Sequence, residues 1–162
     1  MIPKASQRGG GQQLATHLLN AIDNERAEVF DLRGSIANDI HGAFAEWEAA
    51  STATKCRKYL YSLSVNPDPR QRPLTRDEMR DFITRAEKQL SLDKQPRAIV
   101  FHTKYGREHC HVIWSRIDTD KMRAVQLSHD RHKLRSAVRE FAREKGLTLP
   151  HAMNRNNPDR FK

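Results

Sequence analysis

The sequence predicts an α+β domain with a central antiparallel sheet flanked by helices. Three observations lead there. Short stretches that alternate every second residue are interleaved with longer stretches whose apolar residues recur every three or four. The late strand segments follow one another through short turns, which makes them antiparallel neighbours. At 162 residues the chain is long enough for one domain with a substantial core.

Met1–Ser6 reads as a short strand that Pro3 confines to a sheet edge. Arg8 and the run Gly9-Gly10-Gly11 follow, a stretch that could turn tightly, approach a phosphate or act as a flexible tether. Gln12–Ile22 carries a helical stripe at Leu14, Leu18 and Ile22, ended by Asp23-Asn24-Glu25, and His17 stands beside it. Ala27–Leu32 is a strand, and Asn38–Ala50 a helix buried along Ile40, Ala43, Phe44 and Trp47. Cys56–Val65 is read as a strand with Tyr59, Tyr61, Leu63 and Val65 on one face. Leu60, Ser62 and Ser64 take the other face, which lines a polar site or is simply wet. After the proline loop Asn66–Leu74, Thr75 and Glu78 form a capping box that opens a helix striped by Met79, Phe82, Ile83, Ala86 and Leu90. The stretch Ile99–Trp114 is two strands around a turn containing Gly106, and Met122–Leu127 should pair with Val112–Ile117. Asp130–Lys145 is a basic helix stopped by Gly146.

Lys and Arg total 29 against 20 Asp and Glu, a net charge of +9 spread along the whole chain, which makes a polyanion such as nucleic acid the first partner to consider. The mean hydropathy is −0.82, no apolar run reaches membrane-span length, and MIPKASQRGGGQQ lacks the apolar core of a signal peptide. Cys56 and Cys110 form no CxxC pair, so a reducing cytoplasm is expected.

The chemistry concentrates between His102 and His111. His109 and His111 share one strand face, Cys110 takes the other, and the hairpin can bring His102 beside the pair. Three imidazoles on a rigid sheet can hold a divalent cation and leave positions open for substrate; the alternative is three partly buried polar residues with ordinary partners. A cation beside a basic face suggests phosphoryl transfer. The nucleophile is then a water or a side chain: Tyr59, Tyr61 and Tyr105 are the tyrosines present, and His17 could form a phosphoramidate.

These motifs together resemble the relaxase, or mobilization nuclease, family of conjugative and mobilizable plasmids, within the HUH endonucleases. The resemblance covers the chain from its N-terminus to about Leu147. It is carried by Arg8–Gly11 before a first helix, the Ser62–Ser64 strand, the Thr75–Glu78 helix start, and the spacing from His102 to His109 and His111. It implies a relaxase domain over residues 1–147, with residues 148–162 a tail or the start of a further region. It implies a site- and strand-specific endonuclease that nicks single-stranded DNA at an origin of transfer by metal-dependent transesterification. The 5′-phosphate would remain bound to the protein. His102, His109 and His111 would be the metal ligands, for Mn²⁺ or Mg²⁺, with Zn²⁺ as the other candidate. Arg8, Ser62, Ser64, Lys104 and Arg107 would lie along the DNA, and the helix Arg131–Lys145 would add backbone neutralisation. Accessory relaxosome proteins and a coupling protein in a bacterial cytoplasm are the implied partners, with no membrane insertion.

The chain departs from the family pattern at two places. The usual tyrosine of the first helix is replaced by His17, which makes His17 the expected nucleophile or marks a degenerate copy. The hairpin turn is basic, with Lys104, Gly106 and Arg107, and Glu108 is the acidic residue left that could orient a ligand. A rolling-circle replication initiator of the HUH class and a non-catalytic DNA-binding module are the alternatives.

Overall fold

The computed structural model describes residues 1–20 and 26–149. In chain order the elements are β1 (Ile2–Arg8), α1 (Gly11–Leu19), β2 (Arg26–Arg33), α2 (Ile40–Thr52), β3 (Leu60–Asn66), α3 (Arg76–Gln89), β4 (Arg97–Lys104), β5 (Arg107–Ser115), β6 (Ile117–Asp118), β7 (Arg123–Ala124) and α4 (Asp130–Lys145). The main sheet has the order β1-β3-β5-β4-β2, with every neighbouring pair antiparallel. This is the expected α+β class.

Alternation along the strands divides the core into two layers. On one face Tyr61, Leu63, Val65, Ile99, Phe101, Val112 and Trp114 pack under α3 and α4. Phe82 of α3 meets Phe141 of α4 edge to face, with ring centroids 5.6 Å apart. On the other face Leu60, Ala98, Val100 and Ile113 pack under α1 and α2 through Leu14, Leu18, Ile40, Phe44 and Trp47. The second layer stops short of β1, leaving the polar residues of β1 and β3 on that face uncovered.

Local sequence accounts for most element boundaries. The Thr75 hydroxyl accepts from the Glu78 N–H and the Glu78 carboxylate accepts from the Thr75 N–H, both at 3.1 Å, so the capping box is complete. Asp39 caps α2 by accepting from the Gly42 N–H at 2.7 Å. Gly146 ends α4 in the left-handed region, φ 67°.

Tertiary packing moves others. β1 runs to Arg8 because it pairs with β3 over its whole length. β3 begins at Leu60 rather than Cys56, and Tyr59, just outside the ladder, belongs to the α1–α2 layer instead of sharing a face with Tyr61. The expected strand Met122–Leu127 shrinks to Arg123–Ala124, paired with Ile117–Asp118 in a separate two-stranded ribbon. Arg116 holds that ribbon, donating to the carbonyls of Lys58 and Val125 at 2.9 and 3.1 Å. Helix α1 ends at Leu19 with Asn20 as its cap, while Ile22, Asp23-Asn24-Glu25 and the tail from 150 onward lie outside the described residues.

Glu87 ties α3 to the sheet. Its carboxylate, 4% exposed, accepts from Arg97 at 2.9 Å, Arg33 at 3.1 Å and the Trp114 indole N–H at 3.0 Å. Glu87→Ala would leave the buried Trp114 indole N–H without its acceptor, while Arg97 keeps Asp31 and Arg33 keeps the Gln95 carbonyl. It should cost about 2–3 kcal/mol, read as a lowered urea midpoint.

Candidate metal and nucleic-acid site

The site is built on the β4–β5 hairpin. Its two-residue turn is Tyr105-Gly106, with φ of 52° and 73°. Two central residues of positive φ match the type I′ turn that suits the twist of paired strands. Glycine takes that conformation without strain, whereas a bulky residue such as Tyr105 does so at a cost. The turn sets the register: Lys104 opposes Arg107, His102 opposes His109, and Val100 opposes His111. Because side chains alternate, all three histidines emerge on the α1–α2 face.

The imidazoles converge. Ring centroids lie 5.2 Å apart for His102–His109, 4.6 Å for His102–His111 and 5.5 Å for His109–His111. One nitrogen from each ring lies within 4.8 Å of the others, and among the described residues no further His, Cys, Asp or Glu joins the group. Cys110 points into the opposite layer, where burial pushes its thiol up to about 12. It is no thiolate for a closed four-ligand zinc site.

Burial lowers the proton affinity of all three histidines, and neighbouring positive charges lower it further. His111 falls to about 3, through burial first and then the charges of His102, His109 and His17. Burial is also the leading cause at His102 and His109. Near pH 7 the three rings are therefore neutral, as metal ligands must be. The His102 Nε2–H donates to the Leu18 carbonyl at 2.6 Å, a bond that leaves Nδ1 as its free lone pair. This donor set fits a divalent cation with coordination positions left open.

The Leu18 bond also brings α1 to the site. The helix starts at the glycine run, which is packed against its neighbours rather than a loose tether. A Cβ on Gly9 would lie 2.9 Å from the Arg57 carbonyl oxygen, and one on Gly11 would lie 2.9 Å from the Tyr59 hydroxyl and 3.0 Å from the Phe44 Cβ. Gly10 is the N-cap at φ 66°. With no side-chain cap available, the Tyr59 hydroxyl accepts from the Gly11 N–H at 2.9 Å. Helix α1 is thus anchored at its start by Tyr59 and at its end by His102. His17, exposed in its last turn, lies close enough for its charge to disfavour protonation of His102 and His111.

The remaining candidates separate by face. Ser64 stands directly opposite His111 and Ser62 opposite Ile113, both on the histidine side. Lys104 is exposed beside the turn, and its charge acts on His109. Arg107 donates to the carbonyls of Asp68, Pro69 and Gln71 at 3.2–3.3 Å, pinning the proline loop beside the hairpin. Arg8 ends β1 opposite Leu60, away from the triad. Tyr105 is 85% exposed in the turn.

Three expectations meet the opposite face. Tyr61 is fully buried under α4 and donates to Asp130 at 2.9 Å. Glu108 does not reach the histidines: opposite Thr103 in the ladder, it pairs with Arg76 at 2.8 Å. Helix α4 also packs on that face, so its arginines lie across the sheet from the triad. Sequence reasoning missed the Leu18 carbonyl, because a backbone acceptor carries no residue signature.

No curated protein matches the chain. Among the described residues no helix is long and apolar enough to cross a membrane. The sequence model of the relaxase family described as "MobA/VirD2-like, nuclease domain" matches residues 17–147, from His17 through the hairpin to the end of α4. That match covers well over half of the chain and includes the whole histidine triad, and the fold is of the class such a domain requires. The chain therefore belongs to the relaxase family, as a MobA/VirD2-like nuclease domain that acts on DNA.

Proposed function

We propose that this domain nicks single-stranded DNA at an origin of transfer by transesterification, with His17 as nucleophile and His102, His109 and His111 as ligands of a divalent cation, Mn²⁺ or Mg²⁺. The observation that carries this reading is the convergence of three imidazoles within 4.8 Å, held by His102 against the last turn of α1, which carries His17. A cation bound there would withdraw charge from the scissile phosphate.

The chain's own residues supply the rest. An unprotonated nitrogen of His17 attacks phosphorus in line. As the N–P bond forms, the bond to the 3′-oxygen breaks, and that oxygen takes up a proton to leave as a 3′-hydroxyl. The 5′-phosphate stays on His17 as a phosphoramidate, and attack by a 3′-hydroxyl reverses the step. The bond from His102 to the Leu18 carbonyl keeps α1, and with it His17, against the ligand set. Ser64 and Lys104 flank the strand, and Ser62 and Arg8 extend the contact along β3 and β1. In the cell the reaction would serve plasmid mobilization in a bacterial cytoplasm, with accessory relaxosome proteins and a coupling protein. A rolling-circle initiator would share this chemistry; the MobA/VirD2-like match favours mobilization.

Incubation with labelled single-stranded origin DNA and Mn²⁺ tests the chemistry. The wild type should form a covalent adduct labile in acid, as a phosphoramidate is. His17→Ala should abolish the adduct, while Tyr61→Phe and Tyr105→Phe should retain it; an acid-stable adduct in His17→Ala would transfer the role to a tyrosine. An absence of any cleavage, with DNA binding intact, would leave a binding module. His109→Ala should remove Mn²⁺ binding in calorimetry and lower cleavage by at least a hundredfold, about 3 kcal/mol of barrier.

Acid should weaken the metal-free protein. The three histidines bind protons less well folded than unfolded, so the unfolded state takes up more protons below the ordinary histidine value of 6.5. Stability is fully present above that value and falls as pH drops through it. A urea midpoint that declines between pH 7 and 5 in the wild type, and less steeply in His111→Phe, would show this.

A further inference from the structure

The uncovered sheet face continues away from the triad along β1. We propose that Lys4 and the cationic cavity at Lys55 and Arg57 form a track that holds phosphates of the same single strand that the histidine site engages. The proposal rests on the reading of that site as one for single-stranded DNA.

The register lines up the start of the track. Lys4 opposes Ser64, and Ser64 opposes His111, so the three side chains form one row across β1, β3 and β5 on the uncovered face. Ser6 opposes Ser62 in the next row, and Arg8 opposes Leu60 in the one after. β1 is the sheet edge, and Lys4 and Ser6 are exposed there. From Lys4 to Arg8 the strand spans about 13 Å, room for a few nucleotides.

The far end of that row meets a second basic feature. Gly9, directly after Arg8, sits so close to the Arg57 carbonyl that no side chain fits between them. Here the end of α2 and the segment 54–59 enclose an open cavity of about 530 Å³. Lys55 and Arg57 line it with the hydroxyl-bearing Ser51, Thr52 and Thr54, and Glu48 is its single acidic lining residue. Lys55 and Arg57 are exposed, and among the described residues neither they nor Lys4 forms an ion pair. The basic side chains elsewhere are often neutralised: Arg76, Arg85, Arg97 and Arg33 all have carboxylate partners. Cations without acidic partners along one uncovered strip fit a polyanion whose charges repeat along a line, and hydroxyls beside them are ordinary donors to phosphate oxygens.

Binding of fluorescein-labelled single strands in chelator, where no cleavage occurs, tests the track through its salt dependence. Every cation that ceases to neutralise a phosphate of a single strand should reduce the slope of log K against log salt by about 0.7. Lys4→Ala with Arg57→Ala should therefore lower the slope by about 1.4. Arg135→Ala, exposed on α4 across the sheet, should leave it unchanged. Strands trimmed from the end that reaches the cavity should become insensitive to Arg57→Ala but stay sensitive to Lys4→Ala. A double variant with the wild-type slope, or an equal reduction in Arg135→Ala, overturns the track. Binding and slopes as expected with no adduct in Mn²⁺ would sink the catalytic proposal and leave the track standing. Failure of the wild type to bind single strands would remove both.

Discussion

The ladder register between β4 and β5 is the constraint on which the site depends. His102 meets His109 only because the turn consists of two residues, and His111 joins them only because it lies two positions further along the same strand. A slip of one residue would send the histidines of one strand to the α3 side and replace them with core side chains. The hydrophobic pattern guards against that slip. Phe101, Cys110, Val112 and Trp114 are all buried on the other face, and a one-residue slip would bring those of the slipped strand out. The geometry of the histidine group is thus enforced by packing on the opposite face of the sheet.

Helix α1 extends this frame to the proposed nucleophile. It is short, has no side-chain cap, and would be marginal alone. Its start is held by a phenol from the head of β3 and its end by an imidazole from β4, two anchors on different strands. The glycines serve the first anchor, since Gly11 lets the helix approach Tyr59 and Phe44 closely. The same imidazole anchors the helix and offers a lone pair to the ligand group, so the position of His17 and the tautomer of His102 are set by one hydrogen bond.

Ion pairing is uneven along the chain. On the α3–α4 face Arg76 pairs with Glu28 and Glu108, and Arg33 and Arg97 pair with Glu87, while Arg80 and Arg135 are in no ion pair among the described residues. On the histidine face the strip along β1 carries cations without acidic partners. A net charge of +9 does not reveal this partition, because it depends on which carboxylate each arginine reaches after folding.

Much of the molecule was legible in its residues. The α+β class, the capping box at Thr75, the span of α4 and the convergence of His102, His109 and His111 follow from local propensity and from alternation, which depend on neighbours in the chain. What depends on distant neighbours was not legible. Tyr59 and Tyr61 look equivalent in sequence, yet one caps α1 and the other lies under α4, because the strand begins between them. Glu108 and the basic helix α4 sit near the histidines in sequence order but on the opposite side of the sheet. Residue spacing was enough to define the histidine group, since a period of two and a tight turn suffice to bring three imidazoles together. Their partners are fixed only by folding, since His17 stands 85 residues before His102 and packing of α1 across the sheet closes that gap.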